Sequence, residues 1–202
     1  MGVIEKRAKH KEAFRREILD SARGMFINDG YDGFSMRKLA EKIDYSPTTI
    51  YLYFRNKDDL LFAICEEFFT DFFAELHRIR SVSQDPVGTL RQAFLYLMNF
   101  ALQNPNQYKL IFFTKSVYGT REELFEKESM ARNTYFVFKE IVQDCINAGK
   151  LRAIDVDVIV DIVTIASHGV ITKNMYCANF LKERSDIVAH TLVDVLLRGL
   201  QN

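Results

Sequence analysis

Between Ser35 and Lys57 the chain reads SMRKLAEKIDYSPTTIYLYFRNK. Ser46-Pro47 is a helix start: Ser supplies the N-cap and Pro occupies the first helical position, where its missing N–H costs nothing. Thr48, Thr49, Ile50, Tyr51, Leu52, Tyr53 and Phe54 follow. Ile50 and Phe54 share a face and pack inward, which leaves Pro47, Thr48, Thr49, Tyr51, Leu52 and Tyr53 largely outside. Small hydroxyls and methyls at a helix N-terminus suit base edges, and Thr and Pro suit the thymine methyl. Tyrosine hydroxyls and free N–H groups at a helix start suit phosphates. A helical hairpin with two exposed tyrosines is the bland alternative. Caps, turn and spacing together favour a helix-turn-helix that lays its second helix in the DNA major groove.

The flanking residues position that helix. Ser35 is an N-cap for a helix whose Leu39, Ala40 and Ile43 form a short apolar stripe. Asp44-Tyr45 breaks it. Asn56 caps the helix that follows, with Asp58 and Asp59 near its positive end. The stretch GFSMRKLAEKIDYSPTTIYLYFRNKDDLL resembles the DNA-binding region of the TetR family of transcriptional regulators, and the likeness extends back to about residue 10. Asp44 stands where the family usually has Gly; Asp tolerates left-handed backbone better than most residues. The resemblance implies that Arg37 reaches base edges or phosphate and that Pro47, Thr48, Thr49 and Leu52 face bases. It also implies that Ser35, Ser46, Tyr51, Tyr53 and Lys57 hold phosphates.

The 202 residues, 48% hydrophobic with 17 Phe, suffice for a packed core. Formal net charge is zero but unevenly spread. Residues 1–57 carry 12 Lys+Arg against 8 Asp+Glu, and residues 58–202 carry 15 against 19. A basic head on an acidic body fits nucleic-acid binding at one end. Cys65, Cys145 and Cys177 form no CxxC pair and read as reduced, mostly buried thiols of a cytoplasmic protein. The charged first sixteen residues lack an apolar h-region, and charges interrupt every long apolar run, so neither a signal peptide nor a membrane span is expected.

In order, the pattern predicts an all-α chain of about nine helices. Residues 1–11 read as a frayed basic arm, free to track phosphate or the minor groove or to be a solvated tail. Helices are expected at 12–28, 35–43, 46–54, 57–80, 86–102, 105–115, 121–148, 155–175 and 185–200. Pro47, Pro86 and Pro105 each follow a capping residue. Thr120-Arg121-Glu122-Glu123 is a capping box, Gly149 a stop, and Val117-Tyr118-Gly119 a loop. The expected division is a DNA-binding domain over 1–57 and an effector-binding and dimerisation domain over 58–202, joined through the long fourth helix.

The eighth and ninth predicted helices are apolar around most of their surface and must be covered on more than one side. Two such helices suggest a two-fold homodimer, with internal burial as the alternative. The family resemblance implies the same: a homodimer through helices 8 and 9. For catalysis the sequence offers little. His10, His77, His168 and His190 form no HExxH, and GxSxG, GxGxxG and P-loop motifs are absent. No enzyme activity, cofactor or metal is expected. Polar and aromatic groups within apolar stretches form a candidate ligand site: Tyr96, Asn99, Tyr108, Asn133, Tyr135, His168, Thr172 and Tyr176. Each also reads as a satisfied core residue or surface aromatic. Ser167-His168-Gly169 resembles the Trp-His-Gly signature of a TetR C-terminal subgroup, with Ser in place of Trp, and the Asn104-Pro105 to Phe112 segment resembles that subgroup's corner between the fifth and sixth helices.

These readings converge on a regulator that binds a double-stranded, palindromic operator and is a repressor released by a small hydrophobic or aromatic effector. One rival is an activator or nucleoid-type binder with the same DNA head; the other is a helical enzyme or small-molecule carrier with a vestigial head. Salt dependence separates the second, because phosphate contacts impose a steep slope.

Overall fold

The computed structural model describes residues 2–114, 118–177 and 183–201. It is all-helical, and among the described residues the β-pairing is one isolated antiparallel bridge, Leu151 with Gln201. Ten helices follow in order among those residues: α1 (Val3–Gly33), α2 (Met36–Lys42), α3 (Pro47–Tyr51), α4 (Lys57–Val82), α5 (Pro86–Gln103), α6 (Pro105–Phe113), α7 (Arg121–Glu126), α8 (Met130–Asn147), α9 (Val156–Tyr176) and α10 (Ser185–Leu200). No helix among them is long and apolar enough to cross a membrane.

Local chemistry explains most boundaries. Pro47 and Pro86 open their helices behind Ser46 and Asp85, whose side chains accept from Thr49 N and Val87 N. Gly149 has φ 67°, and after it Lys150 N returns to Cys145 O at 3.0 Å, closing α8 with orphan carbonyls satisfied. Thr120 and Glu123 exchange bonds as a capping box, Thr120 N to Glu123 Oε2 at 2.8 Å and Glu123 N to Thr120 Oγ1 at 3.3 Å.

Three elements depart from the pattern. Residues 1–11 do not form a frayed arm: α1 is helical from Val3, because every residue from there to the first Gly is compatible with helix and Lys, Arg, Ala and Glu favour it. α1 breaks at Gly30, where φ is 71°, and resumes for one turn. The expected long seventh helix is two helices, because Ser129 acts as a fresh N-cap, accepting from Arg132 N at 3.1 Å. α3 ends at Tyr51, so Tyr53 and Phe54 lie in the turn after it. Lys115 and Val117, assigned to a helix end and a loop, lie outside the described residues.

The chain forms two compact units. The first comprises residues 1–68 and 106–123; its core gathers Phe14, Ile18, Phe26, Leu39, Ala40, Ile50, Phe54, Leu60 and Leu61, and Leu110 of α6 joins them. The second comprises residues 69–105 and 124–202. There α5 packs against α8, α9 and α10, burying Leu90, Phe94, Met98, Ile141, Val142, Val163 and Val193. Arg80 pairs with Glu140 and with Asp144 at 2.9 Å, and Arg91 with Asp194 at 2.7 Å. The division at residue 57 read from the motif therefore differs from the packing, which carries the first unit to Phe68 and adds α6 to it.

Cys65 and Cys145 are buried and Cys177 is exposed. Burial pushes both buried thiols up to about 12. In the native protein a maleimide should label Cys177 alone within minutes, with the other two reacting only after denaturant is added. Mass spectrometry of the labelled peptides checks this, and native labelling of Cys145 would contradict the packing of α8.

Candidate nucleic-acid interface

Nine of the ten DNA-contact candidates fall on α2, α3 and the turns around them, and Lys57 opens α4. Ser35 caps α2, its Oγ accepting from Lys38 N at 3.1 Å. Asp44 adopts φ 59°, the left-handed conformation the turn needs, and Tyr45 N bonds Ala40 O at 3.0 Å. Ser46 Oγ accepts from Thr49 N at 3.2 Å and shares a hydrogen bond with Thr49 Oγ1 at 2.8 Å. Its hydroxyl is thus already committed to the cap. α3 has only five residues, too few to be helical alone. Ile50, fully buried, and Phe54, 2% exposed, pin it to the core.

That pinning decides what faces solvent. Pro47 and Thr48 are exposed, Tyr51 is 51% exposed and Leu52 77%. A leucine so exposed serves no core, and an apolar tip there can meet a thymine methyl. Arg37 is exposed beside Glu41, with Nε 3.0 Å from its carboxylate; a surface pair of this kind is weak enough to open toward a phosphate or base.

Three candidates sit differently from the sequence reading. Thr49 is half-buried, its hydroxyl bonded to that of Ser46. Tyr53 is half-buried rather than outward, its ring edge-on to Phe14 at 5.1 Å. Lys57 is half-buried, its Nζ 3.8 Å from the centre of the Tyr31 ring. Tyr31 in turn donates to Asp58, which pushes its phenol up to about 12. Neither ring contact has a local signal, because Phe14 and Tyr31 are distant in sequence. Tyr45, exposed and against Phe14 at 4.3 Å, and Arg55, exposed while bonded to Asp59 at 3.0 Å, were missed; their only sequence signal is position beside the motif.

The ligand candidates are less uniform. Tyr108 is fully buried and belongs to the first unit; the other seven belong to the second. Burial raises its phenol well above the ordinary range. Tyr96 stacks on Phe72 at 5.2 Å. Tyr135 donates to Asp157 at 2.7 Å, which also pairs with Lys139 at 2.8 Å. Asn133 Nδ2 lies 3.8 Å from Met130 Sδ. His168 and Thr172 are half-buried, and burial lowers the imidazole from its usual range. Asn99 and Tyr176 are exposed. Ser167, beside His168, is fully buried, and its Oγ finds no hydrogen-bond partner among the described residues.

Residues 18–64 match the family model of the bacterial regulatory proteins of the tetR family. Over that segment the chain is similar to the TetR family. Among curated proteins it is similar to the HTH-type transcriptional repressor Rv1474c of Mycobacterium tuberculosis, 33% identical over 49% of this chain and 46% of that one. It is also similar to the fatty acid metabolism regulator protein of Bacillus subtilis, 21% identical over 96% and 99% of the two chains. The chain spans about half the length of the first two curated relatives it matches, 46% and 51%. Among solved structures, the FadR regulator of B. subtilis in complex with stearoyl-CoA superposes with a TM-score of 0.76 at 18% identity, covering 92% of this chain and 99% of that one. A Rhodococcus sp. RHA1 protein of unknown function gives 0.77 at 24%, covering 93% and 95%. The likeness in fold thus extends well beyond the matched segment.

Cap and reading residues should separate by stability. Ser46→Ala should lower unfolding free energy by about 1 kcal/mol through loss of the N-cap. Thr48→Ala, which removes only an exposed side chain, should stay within about 0.5 kcal/mol. Urea denaturation of the two variants against the parent chain tests the contrast.

Proposed function

We propose that this protein is a homodimeric transcriptional repressor that reads a palindromic DNA operator and is released by a small hydrophobic or aromatic effector. One observation carries the DNA-reading part: α3 is pinned by Ile50 and capped by Ser46, so it presents Thr48, Tyr51 and Leu52 outward on a rigid base. In this reading Arg37, Pro47, Thr48, Thr49 and Leu52 address bases. Ser35, Ser46, Tyr51, Tyr53 and Lys57 address phosphates, Ser35 and Ser46 through the helix N-termini they cap. The protein acts where the DNA is, in the cytoplasm.

The homodimer rests on α9 and α10. Val158, Ile162, Ile165 and Tyr176 are exposed on α9, and Ile187 and Val195 on α10. Val158, Ile162 and Ile165 follow four- and three-residue spacing, and Tyr176, eleven residues on, returns to the same helix face. An apolar seam of this length suits a self-complementary interface about a two-fold axis, and two heads related by that axis match a palindrome. The effector would meet Tyr96, Asn99, Asn133, Tyr135, His168, Thr172 and Tyr176 in the second unit; the eighth candidate, Tyr108, belongs to the first. Support for a hydrophobic effector comes from the aromatic character of this set and from FadR, whose solved complex holds stearoyl-CoA. α4 is one helix continuous from the first unit into the second and is the covalent route for coupling. Effector can shift DNA affinity only by its own differential affinity for the two states, typically about 1–3 kcal/mol.

Selection from a random-duplex library at two salt concentrations tests the reading. A palindromic site, bound far more weakly at high salt, is expected; no selected site at either salt would overturn the DNA-reading function. Independently, Ile165→Glu should convert a dimer to a monomer in sedimentation velocity and weaken binding to the full palindrome more than tenfold. A dimer that survives the substitution unchanged would remove α9 from the interface.

A further inference from the structure

The first turns of α1 continue beyond the core. Burial on α1 begins at Phe14, which sits between Tyr45 and Tyr53; residues 5–13 are exposed. The face that is apolar at Phe14 and Ile18 does not turn neutral where the core ends. At roughly 100° per residue, Lys6, Arg7, His10 and Lys11 all lie within about 80° of the direction of Phe14, while Glu5, Lys9 and Glu12 lie more than about 130° away. The four residues and Tyr53 together line a shallow groove of about 480 Å³. Among the described residues none of the four makes an ion pair. Helix stability would favour carboxylates in these turns, near the positive end of the helix dipole. Cations gathered there on one face, next to a half-buried tyrosine that follows α3, fit an anion brought in from outside.

Resting on the DNA-reading function above, we propose that this groove is a second phosphate-binding site, which grips the DNA backbone beside the bases read by α3 and lengthens the duplex the protein covers. Lys6, Arg7 and Lys11 supply charge, His10 an imidazole N–H, and Tyr53 a hydroxyl, the donor set that phosphate oxygens accept from. The site adds affinity and register but no sequence information, because backbone phosphates are alike at every base pair. Its contribution is released by salt, since each neutralised phosphate frees condensed counterions.

The test uses the full chain and the duplex it selects. Lys6→Gln, Arg7→Gln and Lys11→Gln, combined, keep good helix formers in place. The slope of log affinity against log salt should become shallower by about 0.9 for each phosphate no longer neutralised, so by about 2–3 in all. The preferred sequence should not change. Shortening the duplex to the bases of the selected site should weaken the parent protein at least tenfold and the triple variant much less. Lys9→Gln, on the opposite face, is the control for diffuse charge and should leave the slope within about 0.3 of the parent. An unaltered slope in the triple variant, or an equal fall per charge for Lys9→Gln, would overturn the groove while DNA reading stood. A parent chain that selects no duplex would overturn both.

Discussion

The burial of Ile50 is the constraint on which the rest of the helix-turn-helix depends. α3 is too short to hold its own hydrogen bonds against fraying, and its composition, with two threonines and a tyrosine, is poor for helix. It exists because Ile50 and Phe54 enter a core made by Leu39, Ala40, Ile18 and Leu60. Once Ile50 is inside, the helical repeat leaves Thr48, Tyr51 and Leu52 no choice but to face out. Core packing and the outward presentation of the proposed base-reading side chains are therefore one geometric fact seen from two sides.

Polar groups at the helix ends refine that arrangement. The Ser46 hydroxyl satisfies the start of α3 twice over, through Thr49 N and Thr49 Oγ1, so what it offers a phosphate is an ordered helix N-terminus rather than a free hydroxyl. Asp44 holds the left-handed turn between the two helices. Lys57 rests on the Tyr31 ring while Tyr31 holds Asp58, which ties the start of α4 to the end of α1. On α4 itself, Arg23 pairs with Glu67 and Tyr118 donates to Glu66 at 3.1 Å. The first unit is thus fastened to the early turns of α4 by both packing and charge, a suitable anchorage for a helix that would transmit an effector's signal.

The second unit poses the opposite balance. Its core is filled by α5 with α8, α9 and α10, yet Ile165 remains 70% exposed and Ile187 64%. These exposed apolar residues on two neighbouring helices are the ground on which a second copy is proposed as their cover. Ser167 adds a buried hydroxyl without a partner among the described residues.

Much of this was written locally. Capping serines and aspartates, a proline at each of three helix starts, the glycine stop at Gly149 and the threonine–glutamate box at α7 were legible, because each acts through hydrogen bonds within four residues of itself. The left-handed Asp44 was legible for the same reason. The break at Ser129 was also locally encoded but was masked by a charged stretch that reads equally well as helix. Tertiary structure alone decided that Tyr53 turns inward onto Phe14, that Lys57 lies on Tyr31 and that α6 packs Leu110 into the core of the first unit. Those pairings join residues tens of positions apart, and nothing in a run of neighbours specifies which distant ring will be there. The sequence by itself determined the all-helical class, most of the helix ends and the chemistry of α3; packing decided which of those side chains remain exposed, because burial depends on distant partners.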